Sequence, residues 1–323
     1  MMAEKKFDVI HIGEANHDVR VPDVPADFLT GEGESYLCGS ISDGCGGDAL
    51  NQAIGVASLG DHSAFYGRLY NGYPGTRLKS LLEEHGVDTS LTILADDCHT
   101  PDIIVNVMKD GSHRFLIGER QGWGLKKEEI DREILSSARI LAIGSLFALG
   151  ELDGENLEEV LRICRDEGVI IVADMTYDVK GIGPRHFDSY YRYIDYLVPS
   201  LEEASYVTSE RDEQKIARAF LDLGAKNVIV KLGSRGSYFQ NQEEAFYTDP
   251  YEIRPIDTTG CGDNFTAGFM HGLLKGMPIR ECVRFASAVG SLHATGIGSS
   301  GVIRSEQMVL DFMAGTKQMP VDR

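Results

Sequence analysis

Short apolar runs alternate with amphipathic stretches along this chain, and that alternation constrains its fold more than any other feature. The runs at residues 7–12, 63–66, 140–143, 169–173, 196–198 and 228–232 are brief, rich in β-branched or aromatic residues, and bounded by Gly, Asp or Pro, as strands are. Between them, Ala49, Ala53, Ile54 and Ala57 recur at helical spacing, as do Leu157, Val160, Leu161 and Cys164, and Ile216, Ala219, Phe220 and Leu223. Strand and helix in this order predict an α/β fold, a doubly wound and mainly parallel central sheet with helices on both faces. Ligands of such sheets lie beyond the C-terminal strand ends. No repeat, low-complexity tract or linker divides the chain, so a single domain over residues 1–323 is expected.

Two segments break the rhythm. Residues 19–45 are strand-like but rich in Gly, Asp and Pro, and residues 101–118 read as a hairpin about Lys109-Asp110-Gly111-Ser112, where the Asp-Gly step supplies a positive φ. Together they suit a small β-sheet lid inserted into the domain. The alternative is that they are edge strands of the main sheet.

Charge narrows the function. Against 31 Lys and Arg stand 50 Asp and Glu, a formal net charge of −19. No basic stripe is available for a nucleic acid, and the field opposes an anionic membrane surface. An anionic substrate has to be held locally, by backbone amides and a metal. The cysteines at 38, 45, 98, 164, 261 and 282 form no C-x-x-C pair and no zinc cluster, which suits reduced thiols in a cytosolic protein. His11, His17, His62 and His293 likewise show no metal-ligand spacing and read as ordinary core or surface residues. The N-terminal residues read as a first strand rather than a signal peptide, and the apolar stretch at 140–149 is too short to span a bilayer. A cytoplasmic protein is expected.

The stretch Asp257-Thr258-Thr259-Gly260-Cys261-Gly262-Asp263 carries the chemistry. Phe265, Phe269, Met270, Leu273 and Leu274 follow at helical spacing, so the glycine-containing turn opens a helix. Amides of Gly260, Cys261, Gly262 and Asp263 then lack intrahelical acceptors and can converge on an anion, helped by the helix dipole. A carboxylate at the lip of that nest is unfavourable unless it works as a base on a hydroxyl proton. Otherwise Asp263 is a helix cap and nothing more.

A second turn, Gly46-Gly47-Asp48-Ala49-Leu50-Asn51, also enters a helix. Its glycines admit a polyol close to the backbone, with Asn51 and the upstream Asp18 placed to bond hydroxyls. Gly13 is not followed by the further glycines of a dinucleotide fingerprint.

In these landmarks the chain resembles the PfkB carbohydrate kinase family, also called ribokinase-like, over nearly its whole length. They are Gly13, Asn16 and Asp18; Gly46-Gly47 with Asn51; the stretch from Asp195 to Ala204; Val230-Lys231-Leu232-Gly233-Ser234-Arg235-Gly236; and the Asp257–Asp263 segment, all in family order. The resemblance implies transfer of the ATP γ-phosphate to a hydroxyl of a sugar or sugar-like molecule. Asp263 matches the general base, and the amides of Gly260, Cys261 and Gly262 match the anion hole. Asn16, Asp18, Gly46, Gly47 and Asn51 match substrate-binding positions. Ser200, Lys231, Gly233, Ser234 and Gly236 fall on nucleotide-binding positions, and Glu203 matches the acid that organises Mg2+ through water. Asp257, the Thr259 carbonyl and the loop ending at Gly298 lie where many members hold a monovalent cation such as K+. Some members dimerise through the lid, from which Arg114 and Arg120 are candidates to reach the substrate.

The chain departs from the family pattern in four places. Cys261 replaces Ala or Gly, Ser200 replaces the Asn before the magnesium-organising acid, Gly-Asp-Asp is absent from residues 67–72, and Asp48 stands where ribokinases carry Lys. Sugars and sugar acids remain open as acceptors, with fructose, 2-keto-3-deoxygluconate and ribose as examples. The alternatives are a nucleoside kinase, with Trp123 and Phe115 as the wall for a base, and a catalytically silent sugar- or nucleotide-binding protein.

Overall fold

The computed structural model describes residues 5–28, 30–109, 113–118, 121–178 and 180–321. The first strands are β1 (Phe7–Gly13), β2 (Asn16–Val24) and β3 (Ser42–Gly46), followed by α1 (Asp48–Ser58), β4 (Ser63–Phe65), β5 (Arg68–Tyr70) and α2 (Tyr73–Glu84). Next come β6 (Ile93–Ala95), β7 (Asp102–Met108), β8 (His113–Ile117), α3 (Arg132–Ser136), β9 (Ala138–Leu146), α4 (Glu155–Asp166), β10 (Ile170–Met175) and β11 (Tyr196–Leu197). The chain continues through α5 (Leu201–Thr208), α6 (Glu213–Asp222), β12 (Asn227–Lys231), β13 (Ser237–Gln240), β14 (Ala245–Thr248), α7 (Cys261–Leu274), α8 (Ile279–His293) and α9 (Glu306–Gly315).

The main sheet runs β14-β13-β12-β11-β10-β9-β1-β4, parallel from β4 to β12 and antiparallel at the β12–β13–β14 edge. Because side chains alternate across a strand, one sequence run feeds two cores. Val9, Ile140, Ala142 and Val172 pack with Phe265, Phe269 and Met270 of α7 and with Val283 of α8. Their neighbours Ile10, Ile12, Leu141 and Ile143 pack with Leu157 and Leu161 of α4 and Phe220 of α6. The doubly wound expectation therefore holds. Its terminal β13–β14 hairpin was not anticipated, because Gln240-Asn241-Gln242-Glu243-Glu244 interrupts the apolar pattern.

The two irregular segments do not extend the main sheet. They form a separate four-stranded sheet, β3-β2-β7-β8, with β2 parallel to β7 and the outer pairs antiparallel. The 101–118 hairpin is present as β7–β8, although its Asp110-Gly111-Ser112 turn and Arg120 lie outside the described residues. Strand β2 begins at Asn16, ahead of the expected residue 19, so Asn16 and Asp18 both lie within it.

Helix α7, which bears Asp263, is seated by small residues. A Cβ on Gly268 would lie 2.7 Å from Val289 Cγ2 and 3.1 Å from the Ala286 Cα, both on α8. Gly268→Val should therefore push the two helices apart and cost about 1–3 kcal/mol by overpacking, read as a lower urea midpoint. An unchanged midpoint would contradict this account of the α7–α8 seat.

Candidate active site

Gly260 opens α7 in the left-handed region, φ 73°, and a Cβ there would fall 2.1 Å from the Ser299 carbonyl oxygen. No other residue fits that turn without moving the 299 loop. Among the described residues the amides of Gly260, Gly262 and Asp263 have no protein acceptor, whereas the Cys261 N–H donates to the Thr258 carbonyl at 3.3 Å. Three of the four expected amides are thus unengaged, and Cys261 is partly spent on its own turn. A Cβ on Gly262 would lie 3.2 Å from Lys231 Nζ, which places an ammonium beside the nest.

Asp263 occupies the third helical position and does not cap the helix. Its carboxylate is buried and accepts from Asn51 Nδ2 at 2.8 Å. Burial, aided by the negative charge of Asp174, pushes its pKa up to about 7, against the opposing pull of Asn51 and Lys231.

Asp174, at the end of β10, went unrecognised in the sequence. It binds Lys231 Nζ through both oxygens, at 2.9 and 2.6 Å, and accepts from Thr266 Oγ1 at 2.9 Å. The available signal was an acid closing an apolar strand at its C-terminal end, Ile171-Val172-Ala173-Asp174. Burial works against the charge of Lys231, but Asp174 and Glu203 outweigh it and raise its pKa. Glu203 is itself raised by burial. Its Oε2 accepts from the Ser200 N–H at 2.8 Å while Ser200 Oγ accepts from the Glu203 N–H at 3.3 Å, a reciprocal cap that starts α5. Ser200 thus caps α5 while also lining the central compartment beside Glu203.

The second glycine turn lies opposite. A Cβ on Gly46 would fall 2.1 Å from Asp18 Oδ1, so the glycine makes room for that carboxylate. Burial, then the charge of Glu14, pushes the Asp18 pKa up to about 7. Asp48 is also raised, first by burial and then by Asp263, while Ser145 Oγ donates to it. Asn16 Oδ1 and Asn51 Oδ1 are buried without a hydrogen-bond partner among the described residues. These groups, with Gly47 and Asp263, line one pocket whose other wall is Ile103, Val105, Phe115 and Ile117 of the small sheet. Trp123 is buried elsewhere, and Arg114 is exposed.

A second compartment of about 380 Å³ is lined by Lys231, Gly233, Ser234 and Gly236 together with apolar Tyr251, Ile253, Phe265 and Met319. A central compartment holds Asp174, Ser200 and Glu203 and shares Lys231, Gly233 and Gly262 with the apolar one and Asp48, Gly260 and Asp263 with the acidic one. The three form one continuous cleft with the α7 turn at its middle. Among the described residues no three His, Cys, Asp or Glu side chains cluster as an inner-sphere metal cage. Asp174 and Glu203 nonetheless offer the hard oxygens that suit a Mg2+ retaining its waters.

Around Asp257 the oxygens are occupied. Oδ2 holds Arg20 Nη2 at 2.6 Å and the Gly298 N–H at 3.0 Å, and Oδ1 holds the Thr259 N–H at 3.0 Å. Burial would raise this carboxyl, but those donors outweigh it and hold its pKa well below the usual carboxylate range. His293 Nε2 lies 3.1 Å from the Thr259 carbonyl oxygen and 2.9 Å from that of Gly298. From the core, the imidazole thus bridges the α7 turn and the loop ending at Gly298.

A helix N-terminus with unengaged amides, a buried carboxylate of raised pKa and a two-sided cleft suit phosphoryl transfer to an alcohol. The model of the pfkB family carbohydrate kinases matches residues 6–305, and the chain belongs to that family. The ribokinase of Haemophilus influenzae is 26% identical over 96% of this chain and 98% of that protein. The ATP-dependent 6-phosphofructokinase of Thermoanaerobacterium thermosaccharolyticum is 23% identical over 92% of this chain and 90% of its own length. Among solved structures, Arabidopsis thaliana ribokinase complexed with ribose and ATP superposes with a TM-score of 0.78 at 25% identity, covering 95% of this chain and 98% of that one. No described helix is long and apolar enough to cross a membrane.

Raising a carboxyl pKa has a cost in stability. Unfolded, Asp263 loses its proton near 3.8, and folded it keeps it to about 7, so stability falls as pH rises between those values. Asp263→Asn removes the penalty. Its melting temperature should exceed that of the parent by a margin that grows from pH 4 to 7 and is constant above, following the ordinary and raised values. A margin independent of pH would show that Asp263 titrates normally.

Proposed function

We propose that this chain transfers the γ-phosphate of ATP to a hydroxyl of an uncharged sugar or polyol, with Asp263 as general base. The observation that carries the reading is the basic, buried Asp263 carboxylate beside unengaged α7 amides at the junction of an apolar pocket and a hydroxyl-suited one. Asp263 accepts the acceptor's hydroxyl proton as the new oxygen–phosphorus bond forms and the bond to ADP breaks. The amides of Gly260 and Gly262 receive charge on the phosphoryl oxygens, with Lys231 beside them. Mg2+, when bound, would neutralise phosphate charge, and Asp174 and Glu203 would hold its waters. Gly233, Ser234 and Gly236 flank the nucleotide. Arabidopsis ribokinase, a relative of similar fold, binds ribose and ATP, which supports both halves of the cleft.

Acceptor charge follows from the walls. Glu14, Asp18, Asp48 and Asp263 line the acceptor pocket, and no Lys or Arg does so among the described residues. A sugar acid or a sugar phosphate would bury its anion among acids, with no cationic side chain of the pocket to neutralise it. This favours neutral sugars such as ribose or fructose over 2-keto-3-deoxygluconate, and over the substrate type named for the phosphofructokinase relative. Asn16, Asp18 and Asn51 are placed to bond hydroxyls, with Gly46 and Gly47 letting the ligand approach. The small sheet acts as the lid, presenting Ile103, Val105, Phe115 and Ile117 to exclude water. Exposed Leu116 on the edge strand β8 supports pairing with a second copy through that lid. A nucleoside acceptor retains only Phe115 of its expected aromatic wall.

A panel of neutral sugars, polyols, nucleosides, sugar acids and sugar phosphates, read by ADP release, tests the reading. Neutral polyols should be turned over, with kcat/KM for charged analogues lower by about 100-fold or more. Asp263→Asn should lower kcat by about 100- to 10,000-fold while nucleotide binding persists. Preference for an anionic acceptor would overturn the charge argument, and undiminished turnover in the variant would overturn the assignment of the base.

A further inference from the structure

The oxygens that the family resemblance marks for a monovalent cation are already engaged by groups of this chain. A K+ ion is held by several oxygens whose lone pairs converge on one point. Here the Thr259 and Gly298 carbonyls both converge on His293 Nε2, at 3.1 and 2.9 Å. The other ring nitrogen, Nδ1, is buried and has no hydrogen-bond partner among the described residues, so the proton belongs on Nε2 and is shared between the two carbonyls. The anionic member of the set is equally committed, since Asp257 carries the Arg20 guanidinium and two backbone N–H groups. The side chain of Asp257 is 4% exposed and that of Arg20 is 23% exposed, so the pair is largely shielded from salt.

We propose that the chain supplies its own cation here, with Arg20 on Asp257 and the His293 N–H across the Thr259 and Gly298 carbonyls replacing an exchangeable monovalent ion. The replacement has a mechanical consequence, because Arg20 belongs to β2 of the small sheet, where it pairs with Val105 of β7. Ser299 Oγ adds a second tie, donating to the Cys45 carbonyl of β3 at 2.8 Å. The loop that sets the α7 amides is thereby held by the sheet that roofs the acceptor pocket. A free ion would set that loop independently of the sheet, whereas Arg20 sets it only while the sheet is seated. The inference rests on the kinase reading for its effect on turnover, but its binding claim stands apart from that reading.

Two readouts separate the claims. Melting temperature and titration calorimetry, compared in KCl, NaCl and tetramethylammonium chloride at equal ionic strength, require no turnover. The parent protein should melt within about 1 °C in all three salts and show no saturable K+ heat. Its kcat/KM for the best acceptor should vary by less than about twofold across the three salts. The double variant Arg20→Ala with His293→Ala frees the oxygens, and K+ should then raise its melting temperature over tetramethylammonium. Saturable K+ binding to the parent, or activation of the parent by about tenfold or more in K+, would overturn the proposal. So would a folded double variant that responds to K+ no more than the parent does. If the double variant does not fold, the parent measurements decide alone. Absence of turnover with every acceptor would count against the kinase reading and leave the melting and calorimetric tests of the cation intact.

Discussion

Charge is deliberately unbalanced where the strands end. Among the described residues Lys231 is the cation lining the central compartment, and it is shared among Asp174, Glu203 and Asp263. The tight ion pair goes to Asp174, whose two oxygens hold the ammonium at 2.6 and 2.9 Å. The remaining carboxylates keep their desolvation penalty with little compensation, so Asp263, Asp48 and Glu203 all lie above the ordinary carboxylate range. That imbalance is a burden on folding and a resource for chemistry. A carboxylate with a normal pKa would be a poor base at neutral pH, and the cluster produces a better one without a histidine.

The fold holds this arrangement by close helix contacts rather than by loops alone. Helix α7 is seated between α1 and α8, where a Cβ on Gly55 would meet the Ala267 Cβ at 2.7 Å and one on Gly268 would meet Val289. Asn51 of α1 then reaches Asp263 of α7 in a geometry that both helices fix. The small sheet supplies the other side, through Arg20 on Asp257 and through the apolar residues above the acceptor pocket. Asp263, the turn amides and the wall of the small sheet are thus positioned by contacts from α1, α8 and β2.

Much of this was legible in the sequence for plain physical reasons. Apolar periodicity marks β1, β9, β10 and α7 because each must bury a face, and small residues mark the two turns because a Cβ at Gly46 or Gly260 would collide. The hairpin at 101–118 announced itself by its Asp-Gly step. What stayed hidden depends on three-dimensional pairing. Asp174 reads as a strand-terminal acid until Lys231, fifty-seven residues on, is folded against it. The contact of His293 with the Thr259 and Gly298 carbonyls, and that of Asp257 with Arg20 of β2, 237 residues away, appear only once the α7 turn, the 295–298 loop and the small sheet are folded together. The cap by which Ser200 and Glu203 start α5 likewise shows only when both are seen folded at the edge of the central compartment.

The central claim, that a carboxylate made basic by its surroundings deprotonates the acceptor beside the α7 amides, is tested most directly by the pH dependence of kcat/KM with the best neutral acceptor. The account gives an ascending limb of unit slope whose inflection lies near the raised value of about 7 for Asp263. A rate that is flat from pH 5 to 9, or that inflects near the ordinary carboxylate value of 3.8, would contradict it.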